Sequence, residues 1–192
     1  MRVMILMGSP LRNGNTAELC KPFMEELKCC GAEVEYVYLH NKKIAACVGC
    51  KGCQKKDDYG CVQQDDMQEL IRHMLQSDVL IFATPSYTWQ VTTSMKSVMD
   101  RMFGLIKYDD SGIKNILNEG QAYALLATCG DEIEHGLGLL DGVFKEFCQY
   151  SKRPYLGMYA VRDEHGLASF QTESAIAGAR QFARKIVQYI PF

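Results

Sequence analysis

The chain predicts an α/β domain, a parallel five-stranded sheet covered by helices on both faces. Three observations carry that expectation. Short apolar runs alternate with helical apolar patterns along the whole chain. The third run, Val79 to Ala83, is continuously apolar, as a central parallel strand should be. With 192 residues and 47% hydrophobic content, one sizeable core can be buried.

Each element follows in order. Val3 to Met7 reads as the first strand and Thr16 to Cys30 as the first helix, through Leu19, Phe23 and Leu27 and closed by Gly31. Pro22 sits inside that pattern and should kink the helix or remove its first turn, at roughly 3 kcal/mol if truly interior. Glu33 to Leu39 alternates as a second strand, and Asp65 to Gln76 is a second helix with Met67, Leu70, Ile71 and Met74 on one face. Beyond the Val79 strand, Met95, Val98, Met99 and Met102 mark a third helix, Ala122 to Ala127 a fourth strand, and Leu137 to Tyr150 a fourth helix. Tyr155 to Val161 is a fifth strand, and Thr172 to Tyr189 a last helix with Ile176, Ala179, Ala183 and Ile186 facing the core. No repeat, low-complexity tract or linker divides the chain, so residues 1–192 are expected to form a single domain.

Composition excludes several functions. A net charge of −2 gives no electrostatic case for nucleic acid, and no basic helix argues for a membrane surface. The opening apolar run is too short for a secretory signal, and nothing approaches a membrane span, so a cytoplasmic location is expected. Nine cysteines, an odd number, then favour metal or redox chemistry over a disulfide framework.

In such a sheet the loops at the carboxyl ends of the strands share one edge, where ligands bind. These loops are residues 8–15, 40–64, 84–91 and 128–136. The first, with Gly8-Ser9-Pro10-Leu11-Arg12-Asn13-Gly14-Asn15-Thr16, reads as a phosphate cradle. Ser9, Asn13, Asn15 and Thr16 offer hydroxyl and amide donors, Arg12 a fixed charge, and the following helix its free N–H groups. Neither GxGxxG nor GK[ST] is present, so a terminal monophosphate is the natural guest. The alternative is an ordinary strand-to-helix turn capped by Thr16. In the third loop, Pro85-Ser86-Tyr87-Thr88-Trp89-Gln90 carries the single tryptophan beside a tyrosine, which suits a flat ligand or, alternatively, a subunit contact.

Gly8-Ser9-Pro10 with Arg12-Asn13-Gly14-Asn15-Thr16-Ala17, and Pro85-Ser86-Tyr87 followed by Met95-Lys96 and Met99-Asp100-Arg101, together resemble the flavodoxin-like FMN proteins. Within them the chain is most similar to the NAD(P)H-dependent FMN reductase and iron–sulfur flavoprotein group. The resemblance implies a doubly wound sheet of strand order 2-1-3-4-5. It also implies that Ser9, Arg12, Asn13, Asn15 and Thr16 hold the FMN phosphate. Pro85, Ser86, Tyr87, Thr88 and Trp89 would line the isoalloxazine ring, with Thr128, Cys129 and Gly130 on its other side. Trp89 and the acidic stretch Asp131-Glu132-Ile133-Glu134 depart from the family pattern. No catalytic acid or base is expected, because the flavin carries the chemistry between NADH or NADPH and a small acceptor such as a quinone or flavin. The family also implies a homodimer, with apolar residues of the third helix and the aromatic loop as candidate contacts.

The loop over residues 40–64 is a cysteine-rich insertion. Cys47, Cys50, Cys53 and Cys61 follow a C-x2-C-x2-C-x7-C spacing, with glycines that let the backbone point several thiolates at one centre. The spacing resembles that of iron–sulfur flavoproteins and is compatible with a [4Fe–4S] cluster; zinc and free or disulfide-capable thiols are the alternatives. A bound cluster would favour an electron carrier between protein partners over a small-acceptor reductase, and free thiols a redox sensor. Lys42, Lys43, Lys51, Lys55 and Lys56 outnumber Asp57 and Asp58 around these cysteines, a patch that would offset a cluster's charge or attract an acidic donor.

Two relatives of the fold are excluded by inspection. No arginine has the upstream cysteine that a low-molecular-weight phosphatase needs, and Ala83 and Thr84 stand where a response regulator needs an acid. Among the histidines, His135 alone is expected in a loop near the ring.

Overall fold

The structure, a computed structural model, describes residues 1–109, 112–116 and 120–189. Five parallel strands, β1 (Arg2–Met7), β2 (Glu33–Tyr38), β3 (Val79–Pro85), β6 (Ala122–Cys129) and β7 (Tyr155–Arg162), form one sheet of order β2-β1-β3-β6-β7. The five helices are α1 (Asn15–Cys29), α2 (Met67–Met74), α3 (Thr93–Arg101), α4 (Ile133–Tyr150) and α5 (Glu173–Val187). A two-stranded antiparallel hairpin, β4 (Ile106–Asp109) and β5 (Gly112–Asn115), lies between α3 and β6.

Strand side chains alternate between two apolar layers, because successive residues of a strand point to opposite faces. Met4, Leu6, Leu80, Phe82, Tyr123, Leu125 and Ala127 pack with α2, α3 and α4. Val3, Ile5, Met7, Val79, Ile81, Ala83, Ala124 and Leu126 pack with α1 and α5. Phe82 anchors the first layer edge-on to Phe144 and Tyr123, at centroid distances of 5.0 and 5.4 Å. The doubly wound order puts the ends of β1, β3 and β6 side by side, which is what gathers the site.

The five-stranded parallel sheet and its order agree with the sequence reading, and four local expectations are corrected. Helix α1 runs through Pro22 without losing its first turn; Pro22 is buried, and the next residue, Phe23, meets Phe182 of α5 at 5.8 Å. Gly14, not Thr16, is the N-cap, and no side chain caps the first turn. Helix α4 begins at Ile133, one turn before the expected start, so His135 and Gly136 are helical; glycines at 136, 138 and 142 dilute the apolar pattern there. The third helix does not offer an apolar subunit face, because Met95, Val98 and Met102 are in the core. Exposed apolar residues are found on α4 and the hairpin, at Leu139, Val143, Tyr150 and Tyr108, and on the aromatic loop, at Tyr87 and Trp89. The hairpin itself had no signal, since its two short strands carry lysine, aspartate and asparagine beside single apolar residues.

Candidate functional site

The ends of β1, β3 and β6 are tied together by hydrogen bonds that cross between loops. Gly8 N–H donates to Ala83 O at 2.8 Å, and Ser86 N–H to Thr128 O at 2.7 Å. The Thr16 and Thr128 hydroxyls share a buried bond of 2.9 Å, pinning the start of α1 to the end of β6. Thr92 caps α3, accepting from Met95 N–H at 3.4 Å, while its hydroxyl donates to Gly8 O at 2.6 Å. Gly8 has no room for a side chain: a Cβ there would stand 3.0 Å from both Met95 Cβ and Thr92 Oγ1.

These ties frame a cleft of about 190 Å³ lined by Ser9, Leu11, Asn15, Thr16, Pro85, Ser86, Tyr87, Thr128, Cys129, Gly130 and Asp163. A second hollow of about 150 Å³ adjoins it through Ser86, Cys129 and Gly130, and adds Thr88, Trp89, Asp131 and Gly136. The uncapped start of α1 leaves N–H groups and the positive end of the helix dipole at the cleft. Eleven of the thirteen cofactor-binding candidates read from the sequence thus surround the two hollows. Arg12 and Asn13 do not line them; the Arg12 guanidinium lies 5.3 Å above the Tyr38 ring.

Asp163 is the cleft residue that sequence reasoning missed. It accepts from Asn15 Nδ2 at 2.5 Å and from Gly166 N–H at 2.6 Å, while its own N–H donates to Cys129 O at 2.7 Å. The loop after the fifth strand also reaches the shared edge, and that was the available signal.

The aromatic loop is a tight turn in which Tyr87 and Gln90 exchange backbone hydrogen bonds of 2.9 and 3.1 Å. Thr88 and Trp89 at its centre have φ of 52° and 58°, the left-handed region that a type I′ turn requires and that glycine or asparagine ordinarily supplies. Tyr87 and Trp89 are about half exposed (48% and 50%) at the mouth. Strain of this kind costs on the order of 1 kcal/mol per residue and clusters at ligand sites. On the other wall, Cys129 is buried, its thiol donates to Asp131 O at 3.2 Å, and burial pushes its pKa up, so it stands there as a neutral thiol.

The cysteine loop is built differently. Residues 44–51 adopt no helix or strand, and Gly49, Lys51 and Gly60 have positive φ. Cys47 and Cys50 are exposed, Cys53 and Cys61 half-buried. Among the described residues no three His, Cys, Asp or Glu side chains are placed to share a metal ion. What fixes the loop is the segment from Arg101 to Lys107 beneath it. Arg101 Nη1 donates to Asp65 Oδ2 at 2.5 Å and to Ala45 O at 3.3 Å, and Nη2 reaches Cys61 Sγ at 3.5 Å. Burial works against the charge on Asp65, but the bonds from Arg101 and from the Ala45 and Met67 amides outweigh it and hold the carboxyl below its usual range. Lys107 Nζ donates to Cys53 O at 2.7 Å and Asp58 O at 2.5 Å, and Gln54 Nε2 to Ile106 O at 2.8 Å. Tyr59 lies so close to Gly104 that a Cβ there would stand 2.9 Å from its ring. Lys55 and Lys56 are exposed.

A doubly wound sheet with a donor-rich cleft at the ends of β1, β3 and β6 defines a flavodoxin-like domain. The chain belongs to the NADPH-dependent FMN reductase family, whose model matches residues 1–163. It is 42% identical to an iron–sulfur flavoprotein of Archaeoglobus fulgidus over 102 residues, 53% of this chain and 46% of that one. An iron–sulfur flavoprotein of Methanosarcina thermophila is 30% identical over 115 residues, 60% of this chain and 59% of that one. The chain spans about half the length of the first of these relatives. Among solved structures, NAD(P)H:quinone oxidoreductase from Methanothermobacter marburgensis superposes with a TM-score of 0.73 at 18% identity, covering 97% of each chain. An FMN-dependent NADH-azoreductase from Bacillus anthracis gives 0.69 at 12% identity, covering 98% of this chain and 99% of that one. These two establish the fold alone. No helix among the described residues is long and apolar enough to cross a membrane.

Proposed function

We propose that the chain is an FMN-dependent oxidoreductase that passes electrons from NADH or NADPH to a small acceptor such as a quinone or a free flavin. The observation that carries this reading is the cleft, where an uncapped helix start, buried hydroxyls and two exposed aromatics meet across three loops. FMN fits this donor set: the amides at the start of α1, with Ser9, Asn15 and Thr16, suit the phosphate. The Ser86 to Gln90 turn and Thr128 to Gly130 would flank the ring, and Tyr87 and Trp89 would shield it from water. When bound, FMN supplies the hydride and electron chemistry, and the chain supplies binding, orientation and electrostatic tuning. A second copy of the chain is proposed to cover the ring side and the exposed Leu139 and Val143, and a cytoplasmic location accompanies this reading.

The test is a comparison of FMN with riboflavin, which lacks the phosphate, by quenching of flavin fluorescence. FMN is expected to bind at least tenfold more tightly, a difference of about 1.4 kcal/mol. Equal affinities would overturn the phosphate assignment, and failure of NADH and NADPH to bleach bound FMN anaerobically would overturn the reductase.

A second reading, an iron–sulfur flavoprotein carrying electrons between protein partners, is favoured by the four-cysteine loop and by the names its relatives carry. The donor types fit a cluster, four thiols in one loop, of which Cys61 is reached by Arg101 and Cys53 by Lys107 through its carbonyl. They would have to draw together around it, and residues 44–51 contain no helix or strand to hold them apart. Anaerobic purification with iron, sulfide and zinc analysis decides between the cluster, zinc and free thiols.

A further inference from the structure

Asp163 is the only charged residue that lines the larger hollow of the cleft, and its charge is negative. The smaller hollow adds one more charge, Asp131, which is negative as well. Arg12, the cation of the first loop, is turned onto the Tyr38 ring and lines neither hollow. Arg162, next to Asp163 in the chain, is engaged by Glu132 and Glu164. Both donors that reach the Asp163 carboxylate are neutral: Asn15 Nδ2 at 2.5 Å and Gly166 N–H at 2.6 Å. Asn15 is the first residue of α1, so the carboxylate stands against the first turn, at the end of the helix that favours anions. The loop after β7 is folded to hold it there. Asp163 N–H donates to Cys129 O at 2.7 Å, and Ser169 Oγ accepts from the Glu164 and His165 amides at 3.0 and 2.8 Å. A cleft whose proposed guest carries a phosphate thus has a carboxylate built into its wall and no cation among its lining residues.

We propose that Asp163 is a specificity-determining residue that limits how strongly the cleft prefers a phosphorylated flavin: its carboxylate takes up the anion-favouring start of α1 and opposes the phosphate. The inference rests on the flavin reading above. The amides and hydroxyls at the start of α1 still favour the phosphate, so FMN keeps its advantage over riboflavin. That advantage is smaller than the same donors would give without Asp163. Like charges that share a cleft repel most where water is scarce and least where salt screens them. The ligand class follows from this balance: the cleft takes a flavin as an exchangeable guest, with its phosphate preferred but not locked in by charge.

The test is titration of the full chain with FMN and with riboflavin, followed by fluorescence quenching at low and at high potassium chloride, with circular dichroism as the check on folding. Asp163→Asn removes the charge and keeps an acceptor for Asn15. In this variant FMN affinity is expected to rise about tenfold at low salt while riboflavin affinity changes less than about twofold. The gain should shrink at high salt, which the loss of a merely structural contact would not do. Asp163→Ser also removes the charge and should move the ratio of FMN to riboflavin affinity in the same direction; it stands as the independent reading if Asp163→Asn does not fold. A fall in FMN affinity in folded Asp163→Asn, or no change, overturns the inference: Asp163 then acts by holding Asn15 or not at all, and the flavin reading stands. Equal gains for both flavins overturn it as well, because the phosphate is then not what the charge opposes. Wild-type protein that binds neither flavin overturns the flavin reading and the inference with it.

Discussion

The donor-rich cleft and the cysteine loop occupy the same edge of the sheet but are held by opposite means. Around the cleft, strand ends are locked to one another by short neutral hydrogen bonds, such as Ser86 N–H to Thr128 O and Thr92 Oγ1 to Gly8 O. The parallel register that places them is itself fixed by the core. The cysteine loop has a single turn of 3₁₀ helix, Gly52–Lys55, between Asn41 and Met67; it hangs on two buried cations, Arg101 and Lys107, from a segment distant in sequence, and on its own Gln54, which donates to Ile106 O. The cleft inherits its shape from the fold. The loop depends on a few side chains.

The largest effect follows from breaking the loop's main anchor. Arg101→Met removes one member of a buried pair and leaves Asp65 with backbone amides alone, at an expected cost of about 3 kcal/mol. Urea unfolding measures the loss, and limited proteolysis should cut within residues 44–64 first. Retention of FMN affinity by the folded fraction would show that the two regions are independent; a cost below about 1 kcal/mol would show that the loop is anchored elsewhere.

The cleft's weak point is its strained turn, so substitution there is expected to have the opposite sign. Trp89→Gly relieves a left-handed residue at the second central position of a type I′ turn and is expected to raise stability by about 1 kcal/mol. The same change removes half of the aromatic mouth and should weaken FMN binding. Thermal denaturation without ligand and a flavin titration read the two effects separately. A variant that gains no stability would mean the turn is not strained, and one that binds FMN unchanged would remove Trp89 from the ring site.

The contrast also explains what the sequence could reveal. The run Val79 to Ala83 is apolar throughout because both of its faces are buried, and the face Met67, Leu70, Ile71 and Met74 recurs at helical spacing because one side of that helix is buried, so sheet and helices were legible. The cleft was largely legible too, since the doubly wound order brings fixed loops to one edge. Arg12 reads as a phosphate ligand because it is a cation beside a glycine-rich turn; in the structure its guanidinium lies over the Tyr38 ring and it does not line the cleft. Asp163 was missed because nothing marks a single aspartate as turning back toward Asn15. The seat of the cysteine loop was invisible for a related reason. Arg101 and Lys107 look like surface charges in the sequence, and their burial follows from long-range contacts that no local pattern encodes.

The smallest effect separates the regions by pH. Asp65 has a folded-state pKa held below its ordinary value of 3.8, with the bonds from Arg101, Ala45 and Met67 overcoming the opposing cost of burial. A depressed carboxylate contributes stability that is fully present above the unfolded pKa and is lost as pH falls through the folded one. Acid should therefore loosen the loop locally while the cleft stays shut, because the Thr16–Thr128, Ser86–Thr128 and Thr92–Gly8 bonds involve no group that titrates there. Hydrogen exchange of the Ala45 and Met67 amides reads the loosening directly, and exchange of the Ser86 amide serves as the control. In Asp65→Asn those two loop amides should exchange faster already at neutral pH and lose most of their extra acid sensitivity. If instead the Ser86 amide accelerates at the same pH as the loop amides, the two regions open as one unit, and the distinction between an edge held by the sheet and a loop held by buried charge fails.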